Sequence, residues 1–251
     1  MGDSSVRPWK LMRLMDSNEK YVIALDGPAG SGKSSVAGIL ARKLGCIHAD
    51  SGAMYRLLTL AAMRQLGEAA DHTAFGTLFQ SSLDQLTPAD LGCSVQLGDK
   101  GQQINCINGQ DVGEQIRTLA VTARIRYIAS ERSFRDQVNQ MLRDLAQETS
   151  LIVDGRDIGS IVFPDTAWKF YLDASARVRA RRRLLELREK GKDQGISAAE
   201  LEAQIEERDA EDRTRPFGAL QIAPGAKLID TSSMSRNDVV QVLLSHLQIK
   251  F

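Results

Sequence analysis

Five short apolar runs punctuate the chain, and between them apolar residues recur every three or four positions. Tyr21-Val22-Ile23-Ala24-Leu25 reads as a strand buried on both faces. Val36, Ile39, Leu40 and Leu44 then mark a helix that Gly45 stops. "CIHAD" (46–50) predicts a short second strand. "SGAMYRLLTLAAMRQLG" (51–67) predicts a helix, with Ser51 as its candidate N-cap and Gly67 at its end. "LIVD" (151–154), "WKFYLDA" (168–174) and "AKLIDTS" (226–232) complete the strands. Helical periodicity fills 117–148. It returns in "ARVRARRRLLELREK" (176–190), capped by Ser175 and followed by Gly191, and in a highly charged stretch from 198 to about 214 that stops before Pro216. A last helix starts at Ser235 with Asp238 three residues on, and carries the stripe Val239, Val242, Leu243 and Leu247. Strands alternating with helices predict a three-layer α/β fold, a five-stranded parallel sheet flanked by helices. Residues 68–116 break this rhythm. "CSVQLGDKGQQINCINGQDVG" is rich in Gly, Asn, Gln and Asp, with short alternating segments, and predicts a small β-rich insert with hairpins.

The first strand runs into Gly27-Pro28-Ala29-Gly30-Ser31-Gly32-Lys33-Ser34, which fits G-x-x-x-x-G-K-[ST] at every fixed position. The order strand, glycine loop, helix is the context this phosphate-binding loop requires. Glycine lets the backbone approach phosphate oxygens, and the loop N–H groups and helix N-terminus then face the anion. Lys33 would reach the β- and γ-phosphates and Ser34 would ligate Mg²⁺.

In open α/β sheets, ligands bind beyond the carboxyl ends of the strands. Chemistry-bearing residues stand there in this chain: the loop after the first strand, Ser51-Gly52-Ala53-Met54-Tyr55-Arg56 after the second, and Gly155-Arg156-Asp157 after the third. A fourth cluster lies in "IEERDAEDRTRP", where Arg208, Asp212 and Arg215 are spaced to share one helical face. The helix before it carries Arg177, Arg179, Arg181, Arg182 and Arg183. Arginines gathered around a phosphate loop suit a phosphoryl-transfer lid. An N-K-x-D guanine reader is absent from the sequence, and Asp154 is followed by Gly155 rather than a second acid. Those absences point away from switch GTPases and AAA-type ATPases, towards a kinase for a small phosphorylated acceptor. A UMP or shikimate kinase and an ATP-dependent binding module remain alternatives.

Composition narrows the partners. Lys plus Arg equals Asp plus Glu, 32 against 32, and aromatics are 5% of 251 residues. That balance argues against a nucleic-acid or membrane surface, so any basic site is local. Cys46, Cys93 and Cys106 form no CxxC pair and suit reduced thiols in a cytoplasmic protein. His48 reads as structural. No run approaches the roughly 18 apolar residues of a membrane span. Residues 1–20 read as an N-terminal extension rather than a secretory signal.

"DGPAGSGKS", "DSGAMYR", "EQIRT", "DGRDIGSIVFPD", "FYLDAS" and "ERDAEDRTR", in that order, resemble bacterial cytidylate kinases over roughly residues 21–248. The resemblance implies a nucleoside monophosphate kinase of the P-loop NTPase type. Its core would be 21–67, 117–183 and 217–251, its NMP-binding insert 68–116 and its helical lid 184–216. It implies Mg²⁺-dependent transfer from ATP to CMP and dCMP, in pyrimidine nucleotide metabolism, by a monomer. It also implies residue roles. Gly27, Pro28, Ala29, Gly30, Ser31, Gly32, Lys33, Ser34 and Ser35 would cradle ATP, with Arg182 approaching from the lid helix. Ser51, Arg117 and Asp157 would read cytosine, Tyr55 and Asp212 would hold the sugar, and Arg56, Arg156, Arg208 and Arg215 would grip the acceptor phosphate. Lys33, Arg156, Arg182 and Arg208 would act on the transferred group. The loop carries Ser34-Ser35 where some relatives have Gly-Thr; the generic motif assigns the metal to Ser34.

Overall fold

The computed structural model describes residues 19–67, 71–98, 101–189, 191 and 195–247. Most of the expected N-terminal arm lies outside them, as do short pieces of the expected insert and lid. The strands are β1 (Val22–Asp26), β2 (Ile47–Asp50), β3 (Cys93–Leu97), β4 (Gln103–Ile107), β5 (Gln110–Asp111), β6 (Leu151–Gly155), β7 (Trp168–Asp173) and β8 (Lys227–Asp230). The α-helices are α1 (Lys33–Leu44), α2 (Ser51–Leu66), α3 (His72–Ser81), α4 (Leu119–Ser130), α5 (Arg132–Glu148), α6 (Ala176–Glu189), α7 (Ala198–Thr214) and α8 (Arg236–Leu247). A five-stranded sheet has the order β2-β6-β1-β7-β8, and β3-β4-β5 form a separate antiparallel sheet. β1 pairs in parallel with β6 on one side and β7 on the other, and β7 with β8. The predicted α/β architecture is therefore present, with the phosphate-loop strand in the middle of the sheet, where connections leave towards both edges.

The chain divides into two compact units, one of residues 1–46 and 149–251, the other Ile47–Glu148. The expected insert 68–116 falls wholly inside the second unit and the expected lid 184–216 wholly inside the first. In the first unit, Ile23, Leu25, Leu40, Ile152, Leu172 and Leu243 pack into one core. They come from the apolar runs and helical stripes picked out in the sequence. α6 and α7 have a small core of their own, Ala180, Leu184 and Leu201, with Leu187, Ile196 and Ile205 against it. α7 begins in a full capping box: Ser197 accepts from the Glu200 N–H, and the Glu200 carboxylate accepts from the Ser197 N–H. Ser235 and Asp238 make the same exchange before α8.

The second unit holds a ring cluster. Phe75 stacks on Phe79 with centroids 5.9 Å apart, and Phe79 meets the edge of Phe134 at 5.3 Å. α3 was not anticipated within the predicted β-rich insert. Its "HTAFGTLFQS" carries threonines, phenylalanines and a glycine, all weak helix formers. Burial of Phe75 and Phe79 and the Asp71 cap on Ala74 N override that weakness. A Cβ on Gly76 would lie 2.4 Å from the Tyr127 ring, so a larger residue there would force that ring to move. The cap of α2 is also one residue earlier than expected. Asp50, in extended backbone, accepts from Ala53 N at 3.0 Å, and Ser51 is the first helical residue. Cys46, Cys93 and Cys106 are all unpaired thiols. No helix among the described residues is long and apolar enough to cross a membrane.

Candidate active site

β1 ends one residue later than its apolar run, on Asp26, and the glycine loop begins at once. Gly27 has φ +142, and a Cβ there would sit 2.1 Å from the Leu172 carbonyl oxygen of β7, so only glycine lets the chain leave the sheet at this point. Gly32, at φ 93, is the N-cap of α1, and its carbonyl accepts the first helical bond from Val36 N at 3.0 Å. The loop therefore enters α1 with the helix N-terminus at its end, an arrangement that attracts anions.

Lys33 is buried, and its ammonium donates to Pro28 O at 2.6 Å and to Ser31 Oγ at 3.3 Å. Burial, helped by the Arg156 charge, lowers its pKa to about 7 against the pull of Asp154, Asp26 and Asp212. Ser34 and Ser35 are exposed in the first turn of α1. The Ser34 hydroxyl is a hard oxygen at a helix N-terminus. It fits a Mg²⁺ carried in by a polyphosphate, which takes most of its ligands from phosphate and water. Among the described residues, no group of three or more His, Cys, Asp or Glu could hold a metal.

Asp26 opens the quoted stretch "DGPAGSGKS", but the sequence reading gave it no role. It is 2% exposed, and its two carboxylate oxygens accept from Ile158 N and Gly159 N, each at 2.8 Å. These N–H groups open the π-helical turn Ile158–Val162 that follows Gly155-Arg156-Asp157. The start of the glycine loop and the loop after β6 are thus pinned by one side chain. Burial raises the Asp26 pKa to about 6, overcoming the two backbone bonds; nearby Asp157 adds to the rise and Lys33 opposes it.

Arg156 and Arg215 share Asp212. Arg156 Nε donates to Asp212 Oδ2 at 2.8 Å and an Arg215 guanidinium nitrogen to Oδ1 at 2.6 Å, with the carboxylate side chain 6% exposed. Burial pushes the Asp212 carboxyl up, but Arg156, Arg215 and Arg208 outweigh it and hold the group ionised below the usual range. Arg215 is not on the helix face that its spacing implied. α7 ends at Thr214, Arg215 is extended at φ −58 and ψ 133, and its side chain turns back to Asp212. Pro216 explains this, since the residue before a proline is pushed out of the helical region. Arg208 is exposed on α7, within electrostatic range of Asp212. Asp157 is buried.

The arginines of α6 separate into two groups. Arg177, Arg181 and Arg183 are exposed. Arg182 is half-buried and donates to Thr231 O at 2.6 Å, to Thr231 Oγ1 at 3.2 Å and to Met234 O at 3.4 Å. Thr231, 1% exposed, sets its hydroxyl 3.1 Å from Ser31 O in the glycine loop and 2.9 Å from Asp173 O. Arg179 touches the loop directly, donating to Ala29 O at 3.0 Å. Sequence reasoning assigned neither Thr231 nor Arg179. Thr231 stands just past a strand end, the place where function was sought, and Arg179 was hidden among four neighbouring arginines.

The second unit holds Ser51, Tyr55, Arg56 and Arg117. Ser51 is buried at the start of α2. Gln103 of β4 reads both sides of the preceding residue, accepting from Asp50 N at 2.7 Å and donating to Asp50 O at 3.4 Å. Arg56 donates to Thr122 Oγ1 of α4 at 2.7 Å. The Arg135 guanidinium lies 5.3 Å from the Tyr55 ring centroid, a cation–π distance. Arg117 is exposed at the end of a single 3-10 turn, Gln115–Arg117.

Comparison with known proteins adds an independent finding. Residues 23–249 match the cytidylate kinase family. The cytidylate kinase of Pseudomonas aeruginosa (strain LESB58) is 40% identical, over 90% of this chain and 95% of that protein. That of Shouchella clausii is 39% identical, over 89% and 94%, and that of Chlorobaculum tepidum 36% identical, over 88% and 90%. A solved shikimate kinase from Bacteroides thetaiotaomicron is far more remote, 17% identical with a TM-score of 0.42, covering 91% of this chain and 99% of its own.

Proposed function

The chain belongs to the cytidylate kinase family, and on that premise we propose that it transfers the γ-phosphoryl group of ATP to CMP and dCMP, giving ADP and the corresponding diphosphate. The observation that carries this reading is the pin made by Asp26. It ties the loop suited to a polyphosphate donor to the loop bearing Arg156, which with Arg215 and Arg208 forms an arginine group suited to a second phosphate.

The acceptor is itself a phosphate, so its attacking oxygen is already nucleophilic and no general base is needed. Catalysis then rests on alignment and on stabilising charge that spreads over the transferred group. The N–H groups of the glycine loop and α1 would bind the donor's β- and γ-phosphates. Lys33 would exchange its bond to Pro28 O for the γ-phosphate and follow the charge during transfer. Mg²⁺ held at Ser34 would supply further neutralisation of the phosphates. Arg156, Arg208 and Arg215 would grip the acceptor phosphate, with Asp212 keeping two of them in place and also meeting the sugar. Ser51, Arg117 and Asp157 would read the cytosine edge, Tyr55 the sugar and Arg56 the phosphate; these roles rest on the motifs "DSGAMYR", "EQIRT" and "DGRD". Arg182 would join the donor side.

The experiment is an acceptor panel with ATP and Mg²⁺, read by coupled ADP release. CMP and dCMP should give the highest kcat/KM, UMP less, and shikimate no stimulation. A larger response to UMP or shikimate, or no acceptor-dependent ADP release, would overturn the assignment.

A further inference from the structure

Arg179 is 3% exposed, and its guanidinium is committed in three directions. Nε donates to Ala174 O, just past the end of β7, at 2.8 Å. One terminal nitrogen donates to Ala29 O at 3.0 Å and the other to Asp209 Oδ2, on α7, at 2.6 Å. The two side chains of this ion pair are 4% and 3% exposed. The backbone of the loop comes so close that a Cβ on Gly30 would lie 3.3 Å from the Arg179 Cβ.

Two physical points raise this cluster above a packing detail. First, a trans peptide sets its C=O and N–H in opposite directions, and the described residues contain no cis bond. Drawing Ala29 O towards the guanidinium therefore turns the Gly30 N–H away from Arg179. A phosphate needs the loop's amides and is repelled by its carbonyls, so a cation holding this carbonyl presets the peptide for an anion. Second, the pair is badly satisfied as a stabilising element. The other Asp209 oxygen is buried with no hydrogen-bond partner among the described residues. Buried ion pairs are often matched in stability by apolar residues of similar volume, and an orphaned oxygen weakens the case for stability further. Asp209 sits directly after Arg208 and three residues before Asp212, so it ties the helix bearing the acceptor-side residues to the donor loop.

We propose that Arg179 is a positioning residue: with Asp209 it orients the Ala29–Gly30 peptide of the donor loop and sets α7 against that loop. The proposal rests on the reading of Gly27–Ser35 as the ATP cradle.

The test uses Arg179→Lys, which keeps the buried charge paired, and the double variant Arg179→Met/Asp209→Leu, which removes both charges at similar volume. For each, thermal melting, KM for ATP, KM for CMP and kcat are measured, together with binding of a fluorescent ATP analogue. Loss of fold would lower the active fraction, and hence kcat, without moving either KM. The proposal expects KM for ATP and the analogue's Kd to rise about tenfold or more in both variants, as loss of a charge-assisted hydrogen bond to the loop implies. It expects KM for CMP to stay within about twofold of wild type in Arg179→Lys, where the pairing to α7 survives. A folded Arg179→Lys enzyme with wild-type KM for ATP would overturn it. Wild-type protein that binds the analogue but turns over no CMP would instead refute the acceptor assignment, while the binding comparison still judges Arg179.

Discussion

Two residues of the glycine loop both have positive φ but differ in their neighbourhood, which allows strain and overlap to be separated. Gly27 has φ +142 and Gly32 has φ +93. Either position strains an alanine by about 1–3 kcal/mol. Around Gly32 nothing lies within 4 Å of a built Cβ, so strain is the whole cost. At Gly27 the Cβ would meet Leu172 O at 2.1 Å. That oxygen belongs to β7, which is hydrogen-bonded to β1 in the register Leu25 to Phe170 and Asp26 to Tyr171. The overlap cannot be relieved by a side-chain rotation; the central strands must part. Overpacking of this kind adds about 1–3 kcal/mol. Gly27→Ala should therefore lose about 2–6 kcal/mol, and Gly32→Ala about 1–3. At about 2–4 °C per kcal/mol for a chain of this size, melting should fall by about 4–24 °C for Gly27→Ala and by less for Gly32→Ala. Circular-dichroism melts of the two variants beside wild type make the measurement. Equal losses, or a smaller loss at Gly27, would show that the Leu172 carbonyl does not constrain the loop's exit from the sheet.

Four other outcomes are expected. Lys33→Ala should lower turnover by orders of magnitude with little loss of fold. With the folded pKa of Lys33 depressed to about 7, its contribution to stability is present above the ordinary lysine value and lost as pH falls through 7. Urea titrations should thus show wild-type stability rising between pH 7 and 10 by more than that of Lys33→Met. Asp26 is the opposite case. Its folded pKa is raised to about 6, so its contribution is complete below the ordinary aspartate value and lost as pH rises through 6. Asp26→Asn should flatten stability between pH 4 and 6, and an unchanged slope would refute the burial argument. Arg117→Ala and Asp157→Ala should each weaken CMP far more than ATP; equal losses in the two KM values would argue against base reading.

Much of the fold was legible because the physics was local. The runs at 21–25 and 151–153 are apolar on both faces, and only a strand between two helical layers buries both. The capping pairs Ser197–Glu200 and Ser235–Asp238 act over three residues, although the sequence reading anticipated only the second. α3 was illegible because its stability comes from Phe79 meeting Phe134 and Phe75 meeting Tyr127, residues more than fifty positions away. Residues of the candidate site divided along the same line. Lys33, Arg156, Asp212 and Arg215 stand in motifs or at strand and helix ends, where a rule can find them. Asp26, Arg179 and Thr231 act through backbone atoms distant in the chain, Ile158 N, Ala29 O and Ser31 O, and Asp209 acts through the Arg179 guanidinium. No spacing in the sequence encodes those partners. Asp26 still left a trace, as an acid directly ahead of the glycine loop, at the end of a strand too apolar to hold a charge without a reason.

The central claim is that donor loop and acceptor arginines serve one transfer between two nucleotides. Incubation with ATP labelled at the γ-phosphorus, Mg²⁺ and CMP, followed by separation of the products, tests it most directly. The account requires the label to appear in the β-phosphate of CDP, in step with ADP and in the absence of added nucleic acid or protein. Label released as inorganic phosphate, or retained in ATP while CMP remains unchanged, would contradict it.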